Sequence, residues 1–231
     1  MKKIKLLTVI FDADLKAYEI PAFRSAIIEK TGRENILFHN HLNDSEFLYK
    51  YPLIQYKVIG GKPCILCIDY GVDEIHKYFD KKDWNINIGD RWLEMKIASL
   101  NMNQFTMQVW DKKFQYTIRN WIALNQENVK IYEEMEGLAQ KAAFLEKTLT
   151  ANILSMAKGI DWQVDKPIEV KITEMHDMRP VSLKGRKLLG FNLDFSTNVF
   201  IPNYMGLGKS VSLGYGVVRQ KRRKNETNYS N

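Results

Sequence analysis

Two Gly–hydrophobic–Gly steps near the C-terminus constrain the fold of this chain more than any other feature of its sequence. They occupy 206–208 and 214–216, five residues apart. Glycine lacks a Cβ and adopts positive φ, so a loop built this way can lie closely against another backbone. Lys209, Ser210 and Ser212 stand between the steps, and the basic run 219–224 follows a short apolar stretch. The segment predicts a loop that contacts a phosphate backbone, with a structural glycine hairpin as the alternative.

The Gly-Lys-Ser triplet at 208–210 does not belong to a nucleotide-binding P-loop. That motif needs a glycine five positions before Gly208, where Asn203 stands, and a helix directly after the triplet. Gly214 and Gly216 follow too soon for a helix.

Composition supports a folded protein with a polyanionic partner. Hydrophobic residues make up 45% of the 231, which excludes the disordered class. Five basic residues and Glu226 give 217–231 a charge of +4 out of the chain's net +7. The polyanion interpretation therefore depends mainly on the C-terminal end, and a basic tail that serves solubility is the alternative.

Two short patterns point away from secretion and from metal or redox chemistry. The apolar run 6–11 stops at Asp12, too early for a signal peptide, and no run approaches the length of a membrane span. We expect a cytoplasmic protein with no membrane partner. Cys64 and Cys67 fall on a predicted strand, where positions three apart point to opposite faces, so we expect two buried thiols.

The first half of the chain predicts one βαββαβ unit of about 100 residues, the ferredoxin-like order. Pro21 opens the first helix, and the Gly60-Gly61 pair forms a hairpin turn. The predicted elements are a strand over 5–13, a helix over 22–30, a short strand over 35–39, strands over 53–59 and 64–68, a helix over 72–79 and a strand over 93–100.

The second half predicts a similar order. Its elements are strands over 105–110 and 114–119 joined by a hairpin at 111–113, a long helix over 135–156 ended by Gly159, a strand over 167–172, a loop over 175–180, a basic turn at 184–187, and strands over 188–194 and 215–219. We expect an α+β chain of tandem ferredoxin-like (RRM-like) domains, residues 1–105 and 106–231. The long helix is expected to pack on its own sheet, with a coiled-coil or dimer face as the alternative.

A histidine pair supplies the candidate chemistry. His39 and His41 follow the first helix, and Tyr49, Tyr51 and Lys57 come soon after. RNA cleavage without metal needs a base for the 2′-hydroxyl, an acid for the leaving 5′-oxygen, and a group that stabilises the phosphorane. Histidine suits the first two tasks because its pKa lies near neutrality, and lysine or tyrosine suits the third.

Other interpretations of the pair stay open. A zinc site with Asp44 and Glu46 is one, and an exposed loop is another. Of the remaining histidines, His76 is expected on a solvated helix face, and His176 is assigned no role.

The glycine spacing and the histidine pair together resemble the Cas6 endoribonucleases of the RAMP superfamily, the CRISPR-associated proteins that cut precursor CRISPR RNA. Residues 51–57 and 152–159 are also similar to members of the subgroup with a histidine pair. The resemblance spans nearly the whole chain. In this family the catalytic histidine lies shortly after the first helix, but some relatives lack it. Which histidine is the base, and which tyrosine takes part, stay open.

The resemblance implies an endoribonuclease that cleaves CRISPR repeat RNA by 2′-hydroxyl transesterification, leaving a 5′-hydroxyl and a 2′,3′-cyclic phosphate. It implies no metal or other cofactor, and either a monomer or a homodimer. Other subunits of a CRISPR effector complex remain open as partners. A non-catalytic RNA-binding subunit on the same fold is the alternative, and a zinc-dependent hydrolase is a third hypothesis.

The candidate residues fall into two groups. The candidate catalytic residues are His41, His39, Tyr49 and Tyr51. The candidate RNA-binding residues are Lys57, Gly206, Gly208, Lys209, Ser210, Gly214, Gly216, Arg219, Lys221, Arg222 and Arg223.

Overall fold

A computed structural model describes residues 1–39, 51–183 and 185–221, which form two four-stranded antiparallel sheets and a small two-stranded one. The first sheet has the order β2-β3-β1-β6 and the second the order β10-β7-β9-β8. Each sheet has the ferredoxin-like order, in which the first and third strands of the unit are central. The expected tandem ferredoxin-like fold is thereby confirmed.

The N-terminal unit contains the first sheet, its helices and the small β4–β5 hairpin. Its elements are β1 (Lys2–Phe11), α1 (Ile20–Thr31), α2 (Ile36–His39), β2 (Ile54–Ile59), β3 (Lys62–Ile68), α3 (Tyr70–Glu74), α4 (His76–Phe79), β4 (Ile86–Ile88), β5 (Arg91–Leu93) and β6 (Ile97–Met107).

Local sequence accounts for both ends of α1 and for the turn between β2 and β3. Proline occupies the first turn of α1, and the helix ends at Gly32, whose φ is 99°. Phe23 and Ile27 are fully buried against the sheet. The predicted β2–β3 hairpin is confirmed, with positive φ at both glycines of its turn.

Both α-helices of the C-terminal unit follow its first strand, and among the described residues no α-helix lies between its third and fourth strands. Its elements are β7 (Val109–Trp121), α5 (Gln126–Glu134), α6 (Leu138–Gly159), β8 (Val170–Leu183), β9 (Arg186–Val199) and β10 (Val217–Gln220). The glycine segment 206–216, with a short 3-10 turn over Val211–Leu213, occupies the place between β9 and β10 where a second helix would stand. The glycine segment is therefore a structural part of the C-terminal unit.

Helix α6 packs on its own sheet, as expected. Leu145, Leu149, Ile153 and Met156 are fully buried in one cluster with side chains of β7 and β9. Leu138, which follows Met135 in the predicted stripe, is 71% exposed. The apolar stripe is thus used within the chain and does not supply a coiled-coil face.

Several predictions of local structure were wrong, and the predicted strand over 105–110 contains the end of β6 and the start of β7. Residues 111–113 form no hairpin but lie within β7, where the register with β9 shifts between Val109 and Phe114. Residues 175–180 form part of β8, and Pro180 is tolerated because β8 is an edge strand. Residues 36–39 form a helical turn, not a strand.

The open face of the first sheet packs into the core of the C-terminal unit. Ile4, Leu6, Leu66 and Ile68 belong to the same buried cluster as Tyr116 and the α6 side chains. Side chains on this face of β2 therefore point toward the C-terminal unit. Both cysteines are buried and unpaired, as expected. Within the described residues, no helix combines the length and apolarity that crossing a bilayer requires.

Candidate functional site

The glycine segment is bonded directly to the N-terminal unit. The Tyr51 hydroxyl donates to the carbonyl oxygen of Gly206 at 2.8 Å, and the Gly206 N–H donates to Oε1 of Gln55 at 3.1 Å. All three residues are buried. The start of β2 and the glycine segment therefore form one hydrogen-bonded junction.

The glycines of the segment are needed for close packing within the protein. A Cβ on Gly208 would lie 2.6 Å from the Trp121 indole nitrogen, and a Cβ on Gly216 would overlap the Leu207 carbonyl oxygen. The N–H of Gly216 donates to Asn120, and that of Gly214 donates to Val211. Three of the four glycine N–H groups thus already have acceptors in the protein, as the structural alternative requires.

The polar side chains between the glycine steps reach the surface. Lys209 is exposed and Ser210 is half-buried. Partial burial lowers the pKa of Lys209, and its backbone N–H donates to the carbonyl of Ile122 at 3.1 Å. Arg219 lies with its guanidinium over the Tyr204 ring, 4.9 Å from the centroid. These side chains present cationic and hydroxyl groups on one edge of the C-terminal unit.

His39 ends α2 and is held by two arginines of the N-terminal unit. The Arg24 guanidinium donates to the His39 carbonyl, and the His39 ring nitrogen Nε2 lies 2.6 Å from the Arg33 carbonyl oxygen. Because a carbonyl only accepts, this contact places the ring proton on Nε2. The predicted residues His41, Tyr49, Arg222 and Arg223 lie outside the described part of the chain.

Tyr51 is placed for structure more than for contact with a substrate. It is 8% exposed, and burial raises the pKa of its hydroxyl. Gly159 packs directly against Tyr51, because a Cβ at position 159 would overlap the Tyr51 Cβ. In this pocket the hydroxyl bonds to the Gly206 carbonyl and also interacts with the Gln55 side chain.

Lys57 is the buried cation of the site. It lies on β2, is 1% exposed, and its Nζ finds no hydrogen-bond partner within the described residues. The residue borders a cavity of about 570 Å³ that Arg119, Arg219 and Lys221 also line. Burial lowers the pKa of Lys57 to about 7. The structure thus brings together three of the predicted RNA-binding side chains with one, Arg119, that was not predicted.

The sequence also gave no indication of a polar cluster around Asp194. This buried carboxylate accepts from Thr117 Oγ1 at 2.7 Å, lies 3.0 Å from Nε2 of His176, and is paired with the Lys221 ammonium. Burial alone would raise the pKa of Asp194, but the hydrogen bonds from Lys221, His176 and Thr117 outweigh it and lower the pKa. His176 was missed because its strand reads as a loop.

The same cluster contains the set of side chains that approaches metal-ligand geometry in the described residues. Glu174, His176 and Asp194 bring their ligand atoms within 4.8 Å of one another. The Lys221 ammonium already neutralises Asp194, however. The arrangement fits a carboxylate that is shared by Lys221, His176 and Thr117 better than it fits a divalent ion.

Comparisons with known proteins agree with this architecture. The family model described as Cas6b N-terminal domain matches residues 2–106, and the one described as Cas6b C-terminal domain matches 108–221. An uncharacterized protein of Methanocaldococcus jannaschii is 43% identical over 101 residues, which are 44% of this chain and 67% of that protein.

Solved structures give the same fold. A crystal structure of Cas6b has a TM-score of 0.86 at 27% identity, over 95% of this chain and all of that one. A second, described as the CRISPR RNA processing endoribonuclease Cas6b, has a TM-score of 0.73 at 24% identity, with the same coverage. A type IV Cas6 crRNA endonuclease has a TM-score of 0.53 at 13% identity, over 96% of this chain and all of that one.

Proposed function

The chain belongs to the Cas6b family, and from this premise we propose that it is an endoribonuclease that cleaves precursor CRISPR RNA within its repeats. The observation that carries the proposal is that both Cas6b domains are matched, between them from residue 2 to residue 221. The relative described as a CRISPR RNA processing endoribonuclease supports the choice of reaction and substrate.

The histidine pair performs the proton transfers in this proposal. One of His39 and His41 takes the proton of the 2′-hydroxyl while the 2′-oxygen attacks the adjacent phosphorus. The bond from phosphorus to the 5′-oxygen breaks, and the other histidine protonates that oxygen. The products are a 2′,3′-cyclic phosphate and a 5′-hydroxyl, and no metal is needed. The ring of His39, held through Nε2, supports a role that requires a fixed imidazole.

Tyr49 is the tyrosine we assign to the phosphate. The hydroxyl of Tyr51 already donates to Gly206 and is buried, which leaves it poorly placed to stabilise a phosphorane. Tyr51 instead holds the junction between β2 and the glycine segment.

RNA is held by side chains around the glycine segment. The glycines shape the loop, and the contacts to phosphate are assigned to Lys209, Ser210, Arg219 and the basic residues that follow β10. Each such ionic contact releases a counterion, so the affinity for RNA falls steeply as salt rises. A salt-independent affinity would argue against these contacts.

A cleavage assay in EDTA tests the reaction. The substrates are the repeat transcript and the same RNA with a 2′-deoxy sugar at the cleavage position. Wild type, His39→Ala and His41→Ala are compared, with His76→Ala as the control because His76 is an exposed histidine of α4. We expect cleavage in EDTA that the deoxy sugar abolishes, and a loss of roughly 10²–10⁴-fold in the single-turnover rate for at least one of the pair.

Other outcomes would point to the other hypotheses. Tight binding of the repeat without cleavage would indicate the non-catalytic subunit. Activity lost in EDTA and restored by zinc would indicate the zinc-dependent hydrolase.

A further inference from the structure

The cavity that contains Lys57 lies between the two units and is lined on several sides by cations. β2 of the N-terminal unit forms one wall, and β7, β10 and the residue Gly214 form the others. Lys57, Arg119, Arg219 and Lys221 all line it. Among the described residues that line the cavity, none is a carboxylate. The cavity therefore has the electrostatics of an anion site.

Lys57 is the unusual member of this group. A buried ammonium is costly unless an anion or several hydrogen bonds compensate it, and Lys57 has neither within the described residues. Its cross-strand neighbour on β3 is Cys64, and burial raises the pKa of that thiol to about 12, so it supplies no negative charge. Asp194 is committed to Lys221, His176 and Thr117.

Lys57 and His39 lie on opposite sides of the first sheet. Consecutive residues of a strand point to opposite faces of the sheet. Tyr56 points to the helix-covered face, where its hydroxyl donates to the Phe38 carbonyl at 3.1 Å, one residue before His39. Lys57 points to the opposite face, toward the C-terminal unit. The Lys57 side chain thus lies across the sheet from the α2 turn, while Ala17 and Ile20 of the helix-covered side also line the cavity.

We infer that this cavity binds a backbone phosphate of the RNA away from the scissile bond, with the Lys57 ammonium as the buried contact and Arg119 and Arg219 as contacts at its rim. Guanidinium groups bind phosphate oxygens in a fork, and an ammonium in a dry pocket adds a strong charge-assisted hydrogen bond. This inference rests on the proposed function, because it takes RNA as the ligand.

Binding of phosphate in the cavity is coupled to a proton. Since burial lowers the pKa of Lys57 to about 7, part of the population carries a neutral amine at slightly alkaline pH. A phosphate diester stays anionic in this range and favours the ammonium, so binding takes up a proton. The titratable and charged groups that line the cavity with Lys57 are the cations Arg119, Arg219 and Lys221 and the Tyr204 side chain, and the neutral Cys64 is its cross-strand neighbour. RNA affinity should therefore fall as pH rises above 7.

Binding of non-cleavable repeat RNA, with a 2′-deoxy sugar at the cleavage position, tests the inference without depending on catalysis. Fluorescence anisotropy compares wild type with Lys57→Met, in which an apolar side chain of similar length replaces the buried amine. Lys3→Met is the matched control, since Lys3 is an exposed lysine of β1 in the same sheet. We expect Lys57→Met to bind about tenfold or more weakly, as for a lost charge-assisted contact. Lys3→Met should bind within about twofold of wild type, like other surface changes.

Calorimetry at pH 7.5 in two buffers of different ionisation enthalpy gives the second readout. Wild type should take up a fraction of a proton on binding RNA that Lys57→Met does not take up. Equal affinities and equal proton uptake in the two proteins would overturn the inference. So would a wild type that does not bind the repeat RNA at all.

Two further measurements distinguish a failure of this inference from a failure of the proposed function. If inorganic phosphate raises the melting temperature of wild type but not of Lys57→Met, while RNA affinity is unchanged by the substitution, the cavity takes free phosphate and the inference about RNA is wrong. Cleavage of the unmodified repeat by wild type tests the proposed function by itself. If RNA binding depends on Lys57 but wild type does not cleave the repeat, the inference about the cavity stands and the proposed nuclease activity is wrong.

Discussion

The hydroxyl of Tyr51 donates to the carbonyl oxygen of Gly206, at 2.8 Å and across 155 positions of the sequence. The bond joins a residue of the segment that leads into β2 to the first glycine of the loop that replaces a helix in the C-terminal unit. Gln55 adds a second bond to the same glycine, through its N–H. The position of the loop is thus set by the N-terminal unit as well as by its own.

Removing this hydroxyl should destabilise the protein. Tyr51→Phe leaves the buried Gly206 carbonyl without its donor, which costs about 1–3 kcal/mol. Urea unfolding of Tyr51→Phe and wild type measures the change. Tyr18→Phe is the control, because Tyr18 is 74% exposed. A variant with unchanged stability that has lost RNA cleavage would instead give Tyr51 a role in the reaction.

The last glycine of the loop should tolerate alanine much less than an open glycine does. Gly216 has a φ of 62°, and a Cβ there would overlap the Leu207 carbonyl oxygen. Gly60 has a φ of 60°, with nothing within 4 Å of the added Cβ. Gly60→Ala should cost only the strain of the left-handed conformation, about 1–2 kcal/mol.

Gly216→Ala adds the steric overlap and should cost several kcal/mol or prevent folding, as forced backbone shifts do. Thermal and urea unfolding of the two variants measure the difference. Equal losses would mean that the overlap relaxes without cost, and that the glycine is required only for its φ.

The Asp194 carboxylate should stabilise the fold in a pH-dependent way. Its folded pKa is lowered because hydrogen bonds from Lys221, His176 and Thr117 outweigh the effect of burial. A carboxylate with a lowered pKa contributes stability above its unfolded pKa, about 3.9, and loses it as pH falls through the folded pKa. Wild type should therefore lose stability on acidification below about pH 5.

Asp194→Asn should be less stable at pH 7 and should lose less stability on acidification. Urea unfolding at pH 7 and at several acidic pH values measures both. Asp111→Asn is the control, since Asp111 is 98% exposed and 3.6 Å from Lys166. Parallel pH profiles for wild type and Asp194→Asn would contradict the assignment.

Sequence patterns predicted the elements that have one apolar face and the element ends and turns that contain proline or glycine. Pro21 and Gly32 bound α1, and the Gly60-Gly61 pair fixes the β2–β3 register. The strands β8 and β9 were only partly predicted, because residues 175–180 of β8 mix polar and apolar side chains and are mostly exposed on both faces. Alternation is absent from such an edge strand, so no period-2 signal exists.

The candidate site was likewise predicted only in part. The histidine pair and the glycine spacing are contiguous motifs that a sequence displays directly. The burial of Tyr51 and the contacts of Asp194 depend on which strands pair. The β8–β9 register contains two irregularities between Ile172 and Asp177, so strand alternation alone would not have placed His176 beside Asp194.

Replacing Lys57 by methionine should change how stability depends on pH. The folded pKa of Lys57 is lowered to about 7 by burial, whereas an unfolded lysine titrates near 10.4. Between these values the unfolded state binds more protons, so this group makes stability rise with pH by up to about 1.4 kcal/mol per pH unit. Below the folded pKa the native state must hold a buried ammonium, and the group is destabilising.

Lys57→Met removes the titrating amine. We expect the variant to be at least as stable as wild type at pH 7, and the difference to shrink as pH rises toward 8.5. Urea unfolding at pH 7.0, 7.75 and 8.5 measures this difference, and Lys3→Met serves again as the exposed control. The range stops at 8.5 because unfolded thiols begin to titrate there, and both buried cysteines have raised pKa values. A constant difference between wild type and Lys57→Met across the range would mean that Lys57 stays charged in the folded protein.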